Sequence, residues 1–218
     1  MPVASIFIVD DHPLVRRGLQ QLIDGEPELS VHGEAASVHE TLELITQNTP
    51  DLVIVDLSLP DGNGLELIKH LLARFPELSI LVSSMHDECL FAERALKAGA
   101  KGYINKSATG DEVIKAIKQI LNGKIYASKQ VAEQLAQKKA NHSQQTEQSP
   151  VQQLSNRELE VYEFIGRGLS TGDIAQKLNL SIKTVESHRS NIKKKLGLVT
   201  AGELARSAMQ WSLESTLT

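Results

Sequence analysis

The sequence predicts an open, parallel α/β sheet in the first 125 residues and a small all-α module in the last 65. Short apolar runs alternate with amphipathic segments in the first part, whereas the second carries only helical periodicity. The stretch between them, 141–150, is polar and rich in glutamine, which is typical of a flexible linker. The net charge of −4 is also unevenly divided. Residues 1–125 hold 11 basic against 18 acidic side chains, and residues 154–218 hold 9 against 7.

Five strands are expected in the first part, and each is a short apolar run. They lie at 5–9, 31–36, 52–55, 80–82 and 102–105. A helix is expected after each strand: from residue 13, after a capping box at 37–40, over 65–75, over 87–98, and from a capping box at 109–112 to about residue 121. Strands that alternate with helices in this way form a parallel sheet with helices on its faces.

Four helices are expected in the second part. Ser155 caps the first, which ends at 166–168, and Ser170 caps the second, 171–178. A short turn leads to the third helix, 182–196. Gly197 stops that helix, and the fourth begins at a capping box, 200–203, and reaches about residue 211. Residues 123–149 are the expected linker between the two parts, in which 130–140 has a further helical pattern and the polar stretch that follows is flexible.

The composition predicts neither a membrane-spanning nor a secreted protein. No apolar run approaches the roughly 20 residues that a bilayer-spanning helix needs. The first seven residues lack the basic and apolar regions of a secretory signal. The single cysteine, Cys89, excludes an intramolecular disulfide. We therefore expect a reducing, cytoplasmic location without membrane contact.

Polar side chains follow four of the five expected strands. They are Asp10, Asp11, Asp56, Ser83, Ser84 and Lys106. Because the carboxyl ends of parallel strands meet at one edge of a sheet, we expect these side chains to lie together. Three carboxylates repel one another without a cation, and Mg²⁺ prefers such oxygen ligands. A carboxylate beside this ion can attack phosphorus, while lysine and serine bind phosphoryl oxygens. Each residue alone also fits a turn or a solvated surface.

Residues 3–122 resemble the receiver domain of two-component response regulators. The resemblance rests on the acid pair, on the third strand with the loop after it, and on the last strand with its lysine: 10–11, 52–62 and 102–106. It implies a flavodoxin-like fold and implies that a sensor histidine kinase phosphorylates Asp56. Many receivers have proline after the lysine, whereas this chain has Ser107.

The same resemblance implies roles for the other pocket residues. Asp11, Asp56 and the backbone carbonyl of Ser58 would bind Mg²⁺, and Asp10 would act mainly through water. Two residues would contact the phosphoryl group, namely Ser84 and Lys106. Tyr103 would change its rotamer on phosphorylation, and an ordinary half-buried aromatic of an edge strand is the alternative.

The third helix of the all-α module has two unlike faces. Its apolar face carries Val185, Ile192 and Leu196, and its polar face carries Lys183, Ser187, Ser190 and Lys194. Residues 182–196 hold five basic side chains against one acidic side chain. A polar, basic helix after a short turn suits the DNA major groove. A solvated surface helix is the ordinary alternative.

Residues 150–215 resemble the LuxR-type helix-turn-helix, through the motifs at 154–160, 168–170, 173–178 and 181–188. With the receiver, this identifies the chain as a member of the NarL/FixJ family of response regulators. The resemblance makes 182–196 the recognition helix. Base-reading candidates are Lys183, Glu186, Ser187 and Ser190, and phosphate contacts are Thr184, Arg189, Lys193 and Lys194. The last helix would supply either a homodimer face or intramolecular core through Leu204, Ala205 and Ala208.

The favoured function is a transcription factor that phosphorylation switches to a DNA-competent dimer. A metal-dependent phosphohydrolase of the haloacid-dehalogenase type is the second hypothesis. Such enzymes carry a further aspartate two residues after the nucleophile, where this chain has Ser58. We therefore expect slow self-dephosphorylation only. A third hypothesis keeps the DNA-binding module but makes the receiver a constitutive interaction domain.

Overall fold

The computed structural model describes residues 3–46, 49–86, 88–133 and 150–216. The chain divides into two compact units, residues 1–140 and 141–218. Most of the expected linker, 134–149, lies outside the described residues. Across the described ranges, no helix has the length and the apolar character that crossing a bilayer requires.

The first unit contains the five-stranded parallel sheet that the apolar runs predict. The strands of the unit are β1 Ala4–Val9, β2 Leu29–Ala35, β3 Leu52–Val55, β4 Ser58–Leu59, β5 Gly62–Asn63, β6 Ser79–Ser84 and β7 Gly102–Asn105. The sheet order is β2-β1-β3-β6-β7, and β4 and β5 form a separate antiparallel hairpin. The direction in which strands are added reverses between β1 and β3. In such sheets, ligands bind beyond the carboxyl ends of the strands at this point.

The helices of the first unit are α1 Pro13–Asp24, α2 Val38–Leu44, α3 Gly64–Arg74, α4 Glu88–Ala98 and α5 Gly110–Leu121. α1 and α5 pack on one face of the sheet, where Ile23 and Ile117 share a buried cluster with Ile6, Ile8 and Leu81. α3 contacts both α2 and α4. Every residue of β3 and β6 is buried. These strands therefore appear in the sequence as continuous apolar runs without alternation.

Two features hold the loop that follows β3. The Asp61 carboxylate accepts the backbone N–H groups of Val38, at 2.7 Å, and His39, at 2.9 Å. This places a negative charge at the N-terminus of α2, where the helix dipole favours it. At the start of α3, a Cβ on Gly64 would lie 2.2 Å from the carbonyl oxygen of Asp56. Glycine therefore allows α3 to begin directly against the backbone of Asp56.

The second unit is helical, as the sequence predicts. A 3₁₀ turn, Pro150–Gln153, precedes four helices: α6 Asn156–Gly166, α7 Thr171–Lys177, α8 Ile182–Leu196 and α9 Ala201–Thr216. α6 contacts α8 and α9, and α7 contacts α8. Complete capping boxes begin α6, at Ser155 and Glu158, and α7, at Ser170 and Asp173. Gly197 ends α8 in the left-handed conformation, with φ 68°.

Several details differ from the sequence expectations, and β2, for example, is Leu29–Ala35 where 31–36 is expected. β6 includes Ser83 and Ser84, because strand pairing with β7 uses the backbone and does not depend on side-chain polarity. α9 runs to Thr216, beyond the expected end near residue 211. Tyr126 pairs with Gly102 in a parallel bridge, so the chain after α5 returns to the edge of the sheet. A helix then begins at residue 129 and is described to residue 133.

Candidate functional site

The carboxyl ends of β1, β3 and β7 bring three expected site residues into direct contact. Lys106 Nζ lies 2.7 Å from Asp56 Oδ2 and 2.7 Å from Asp10 Oδ2. All three side chains are at most 6% exposed. β6 separates β7 from β3 in the sheet, so the long lysine side chain spans the end of that strand. A buried positive charge is thereby held against two buried carboxylates.

These neighbours set the protonation of the cluster. Burial raises the pKa of Asp56 to about 6, Lys106 opposes this change, and Asp10 reinforces it. Burial alone would lower the pKa of Lys106, but the two carboxylates together outweigh it and raise the pKa above its ordinary value. Asp56 is therefore mainly ionised at neutral pH, and Lys106 keeps its charge. An ionised carboxylate of this kind can act as a nucleophile.

Four side chains at this edge offer ligand atoms that all lie within 4.8 Å of one another: Asp10, Asp11, His12 and Asp56. Asp11 is the more accessible member of the acid pair, with 28% of its side chain exposed. Both oxygens of Asp10 are engaged, since Oδ2 contacts Lys106 and Oδ1 accepts the backbone N–H of His12 at 2.8 Å. Three carboxylates face one ammonium group here. The pocket therefore fits a divalent cation by its donor atoms and by its charge.

The expected residues Ser58 and Ser84 both contact His86, in the loop between β6 and α4. Ser58 Oγ lies 3.0 Å from His86 Nε2, and the Ser58 N–H donates to Asp56 Oδ1 at 3.3 Å. Ser84 Oγ accepts the His86 N–H at 3.3 Å. The His86 side chain is buried and stacks on Phe91 of α4. His86 therefore joins the loop after Asp56 to the beginning of α4.

Tyr103 is enclosed, although it lies on an edge strand. Only 1% of the residue is exposed, and its hydroxyl donates to the His86 carbonyl at 2.9 Å. Tyr103 is therefore more enclosed than the ordinary half-buried aromatic residue that is the alternative to a switch. Ser107, where many receivers carry proline, donates its N–H to Asn105 Oδ1 at 2.9 Å and its hydroxyl to the same atom at 2.7 Å. A proline there would have no N–H to donate.

Sequence reasoning misses three residues at this edge. Arg16, one turn into α1, donates from Nη1 to the Asp10 carbonyl at 2.8 Å and faces Glu34 at 3.3 Å. The position of His12 directly after the acid pair is a usable sequence signal. His86 has no such signal, because its partners lie 28 and 17 positions away along the chain.

In the second unit, α8 separates an apolar from a polar face, as its spacing predicts. Val185 and Ile192 are buried, and Leu196 is half-buried. Ser181 caps the helix by accepting the Thr184 N–H at 3.0 Å. The expected DNA contacts divide into exposed and half-buried sets. The exposed set is Lys183, Glu186, Ser187, Ser190 and Lys194, and the half-buried set is Thr184, Arg189 and Lys193.

Two hydroxyls of the expected DNA contacts already have partners in α8 or at its N-cap. Ser187 Oγ donates to the Lys183 carbonyl at 2.9 Å, which leaves the hydroxyl oxygen as an acceptor. Thr184 Oγ1 lies 2.8 Å from the capping hydroxyl of Ser181. His188 is half-buried, and burial followed by the charge of Arg157 lowers its pKa. At neutral pH, this lowered pKa favours the uncharged form of the His188 ring.

Lys195 of the same helix forms an ion pair within the second unit. Its Nζ lies 2.6 Å from Glu158 Oε2 and donates to the Gln153 carbonyl at 3.3 Å. Glu158 also accepts the Ser155 N–H at 2.7 Å in the capping box of α6. Burial opposes the ionisation of Glu158, but Lys195 and Ser155 together lower its pKa. One buried carboxylate thus fixes α8 to the first turn of α6.

The last helix contributes to the core of its own unit. Leu204 and Ala208 of α9 are fully buried, so the structure places them in the intramolecular core. The Tyr162 hydroxyl of α6 lies 2.7 Å from Ser207 Oγ, and its ring packs on Trp211 with 5.2 Å between centroids. The outward side of α9 has an apolar stripe at spacings of four residues, formed by Ala205, Met209 and Leu213.

Comparison with known families supports both halves of this description. Residues 6–118 match the response regulator receiver domain, and residues 152–208 match the bacterial regulatory proteins of the luxR family. The chain belongs to the NarL/FixJ family of response regulators. This response regulator is therefore a phosphorylation-dependent regulator of transcription, with a receiver domain followed by a LuxR-type DNA-binding domain.

Similar proteins cover nearly the whole response regulator. The oxygen regulatory protein NreC of Staphylococcus epidermidis is 36% identical over 214 residues, which is 96% of this chain and 98% of NreC. The DNA-binding transcriptional activator DevR/DosR of Mycobacterium tuberculosis is 37% identical over 94% of this chain and 97% of its own. RcsB from Salmonella enterica serovar Typhimurium, bound to the promoter rprA in the presence of the phosphomimetic BeF3-, superposes with a TM-score of 0.63. It is 27% identical, and the match covers 94% of this chain and 97% of that chain.

Proposed function

We propose that Asp56 is the phosphoacceptor and that a sensor histidine kinase is the donor. The observation that carries this proposal is the buried Asp56 carboxylate, 2.7 Å from Lys106 Nζ at the switch point of the sheet. A carboxylate oxygen attacks the phosphorus of a phosphohistidine, and the P–N bond breaks. The imidazole leaves with the bonding electrons and takes up a proton. Lys106 then binds an oxygen of the transferred group.

The functional domains that we propose follow the sequence boundaries. The receiver spans residues 3–122, and the DNA-binding domain spans residues 150–215. The linker, 123–149, joins them. DNA binding places the protein where the chromosome lies, so we propose a cytoplasmic location.

Mg²⁺ is the ion that we propose for the pocket. Asp11, Asp56 and the backbone carbonyl of Ser58 would hold it, and Asp10 would act through water, since both of its carboxylate oxygens are engaged. When bound, Mg²⁺ offsets the negative charge that the phosphoryl group brings to the carboxylates. Lys106 supplies the second positive charge in the same pocket.

Ser84 and Tyr103 connect phosphorylation to the surface of the receiver in this proposal. The Ser84 hydroxyl now accepts the His86 N–H, and the Tyr103 hydroxyl donates to the His86 carbonyl. A phosphoryl oxygen that takes the Ser84 hydroxyl as a donor draws it away from His86 and weakens the support of Tyr103. The Tyr103 rotamer then follows phosphorylation through the difference in interactions between the two states.

Self-dephosphorylation is slow in this proposal. Phosphohydrolases of the haloacid-dehalogenase type have a further aspartate two residues after the nucleophile. Here the residue is Ser58, whose hydroxyl lies 3.0 Å from His86 Nε2. A serine is a far weaker acid or base than a carboxylate near neutral pH, so it does not activate a water efficiently.

α8 reads DNA in this proposal, with its exposed polar face in the major groove. Lys183, Glu186, Ser187 and Ser190 reach base edges, whereas phosphate groups are contacted by Thr184, Arg189, Lys193 and Lys194. Phosphorylation favours a homodimer that binds two half-sites. The exposed stripe Ala205, Met209 and Leu213 on α9 supports a dimer contact in place of the buried Leu204 and Ala208.

The direct test is transfer of phosphate from a small phosphodonor in the presence of Mg²⁺. The wild-type chain is expected to be labelled, and Asp56→Ala is expected to be unlabelled. Asp111→Ala, at an exposed aspartate in the first turn of α5, is the matched control and keeps its label. Equal labelling of the wild type and Asp56→Ala would show that another residue is the acceptor. Multiple turnover of a phosphate ester would instead favour the phosphohydrolase.

A further inference from the structure

His12 lies in the acidic pocket as the only imidazole among the grouped ligand atoms of the described residues. Its Nδ1 is 2.5 Å from Asp11 Oδ1 and 3.2 Å from Asp10 Oδ1. Its backbone N–H donates to Asp10 Oδ1 at 2.8 Å, and this contact fixes the main chain directly after the acid pair. The side chain is 63% exposed. The ring therefore lies at the open mouth of the pocket, where it can reorient.

The spacing of the ligand atoms suits a shared ion. One atom each from Asp10, Asp11, His12 and Asp56 lies within 4.8 Å of the others. Ligands about 2.1 Å from one ion lie about 3 Å apart at right angles and about 4.2 Å apart across it. Small side-chain movements would therefore bring Asp11, Asp56 and the His12 nitrogen around one centre. Asp10 is less available, because Lys106 and the His12 N–H occupy its oxygens.

A nitrogen ligand changes which ion the pocket prefers. Oxygen ligands suit Mg²⁺, whereas imidazole suits the later first-row divalent ions, whose affinities rise from Mn²⁺ through Co²⁺. A second role for His12 fits the same contacts. As a hydrogen-bond partner of Asp11, the ring would compete with every cation for that carboxylate, and removing the ring would strengthen the binding of Mg²⁺ and Co²⁺ alike. The two roles predict opposite effects of one substitution.

We propose that His12 is an additional metal ligand of this pocket, and that it raises the affinity of the pocket for imidazole-binding first-row divalent ions relative to its affinity for Mg²⁺. The proposal rests on the proposed function in taking this pocket as the metal site of the receiver. It concerns the ligand set alone and does not depend on which residue accepts phosphate.

The test uses the full chain, titrated separately with Co²⁺ and with Mg²⁺ by calorimetry. A Co²⁺-bound imidazole also gives a strongly shifted, exchangeable N–H resonance in the proton NMR spectrum. Wild-type protein is expected to show this resonance. His12→Ala is expected to lose it and to bind Co²⁺ at least about tenfold more weakly, since even the loss of an outer-shell partner has an effect of this size. Its Mg²⁺ affinity is expected to stay within about twofold of wild type.

The control is His39→Ala, at a histidine that is 80% exposed and contacts Glu43 at 3.3 Å. This variant is expected to keep the shifted resonance. A resonance that survives in His12→Ala, or a parallel gain in Mg²⁺ and Co²⁺ affinity there, would overturn the proposal. Labelling with the phosphodonor and Mg²⁺ separates the two ideas. If Asp56 is labelled but His12→Ala has no effect on Co²⁺ binding, only the proposal that His12 is a ligand is refuted. If His12→Ala loses the Co²⁺-shifted resonance but Asp56 is not labelled, only the proposal that Asp56 is the phosphoacceptor is refuted.

Discussion

Replacing Lys195 with methionine removes the charge that faces Glu158 and keeps an unbranched apolar side chain. In the wild-type chain, Lys195 Nζ lies 2.6 Å from Glu158 Oε2. The variant leaves the Glu158 carboxylate, which is 5% exposed, with its capping contact to the Ser155 N–H. We expect the DNA-binding domain to become less stable, because a nearly buried carboxylate loses the cation that offsets its desolvation.

The exposures of the two side chains set the size of the effect. An exposed ion pair contributes at most about 1 kcal/mol, whereas removing one partner of a fully buried pair costs about 3 kcal/mol or more. Glu158 is buried, but the Lys195 side chain is 39% exposed. We therefore expect Lys195→Met to lower the free energy of unfolding by about 2 kcal/mol, between these limits. For a domain of this size, that corresponds to a fall in Tm of roughly 10 °C.

Thermal unfolding followed by tryptophan fluorescence measures this change. Trp211 is the only tryptophan of the chain, and it packs on Tyr162, so its emission reports on the second unit. Lys194→Met, at the exposed neighbour, is the matched control and should shift Tm little. In DNA binding, we expect the control variant to have the larger effect. Lys194→Met should reduce the salt dependence of binding by about one ion, as the loss of a phosphate contact does.

The pH dependence of stability gives a second test of the ion pair between Lys195 and Glu158. The pKa of Glu158 is lowered in the folded chain from its ordinary value of 4.5, through Lys195 and Ser155 acting against burial. A lowered pKa contributes stability above the unfolded value, and this stability is lost as the pH falls through the folded value. The stability difference between the wild type and Lys195→Met should therefore shrink below pH 4.5. A Tm loss no larger than that of Lys194→Met at pH 7 would refute the role of the pair.

Three further changes test other parts of the structure. Gly64→Ala places a Cβ 2.2 Å from the Asp56 carbonyl oxygen and should destabilise the receiver by about 3 kcal/mol in calorimetry, whereas Gly18→Ala, with nothing within 4 Å, should stabilise α1 by about 0.5 kcal/mol. Equal effects of the two substitutions would contradict the crowding argument. Tyr103→Phe removes the hydroxyl that donates to the His86 carbonyl and should lower the free energy of unfolding of the receiver by about 1 kcal/mol. An unchanged unfolding transition of the receiver would show that this hydrogen bond does not stabilise it. Lys183→Ala should weaken binding to the selected DNA site by about 1–3 kcal/mol and relax the sequence preference at one base pair. An equal loss of affinity for all DNA sequences would instead show that Lys183 contacts a phosphate group.

Much of the fold is predictable because local signals and tertiary packing agree. β3 and β7 have the expected bounds, and α5 begins at the predicted capping box of Thr109 and Glu112. α8 ends at Leu196, and Gly197 takes the left-handed conformation that stops it. In each case the signal lies within a few residues of the boundary it sets. Capping and continuous apolar runs are therefore sufficient there.

The remaining features depend on contacts that sequence periodicity does not contain. Glu158 is buried on α6, although an acidic residue in a helix is ordinarily a solvent-facing one, because Lys195 reaches it from 37 positions away. His86 is buried for a similar reason, through Ser58 and Tyr103. Asp56 and Lys106 can be placed together from sequence, since the strand ends of a parallel sheet share one edge. The position of His12 beside the acid pair is visible in the sequence, but the contact of its ring with Asp11 is visible only in the structure.

DNA affinity with and without a phosphodonor tests the central claim most directly. The probe is a DNA fragment that the phosphodonor-treated protein selects from a random-sequence library, at fixed salt and Mg²⁺. Phosphodonor should tighten wild-type binding by about tenfold or more, within the usual range of coupling between two sites. Asp56→Asn should bind equally with and without it. A wild-type affinity that phosphodonor leaves unchanged, or an Asp56→Asn affinity that it raises equally, would contradict the account.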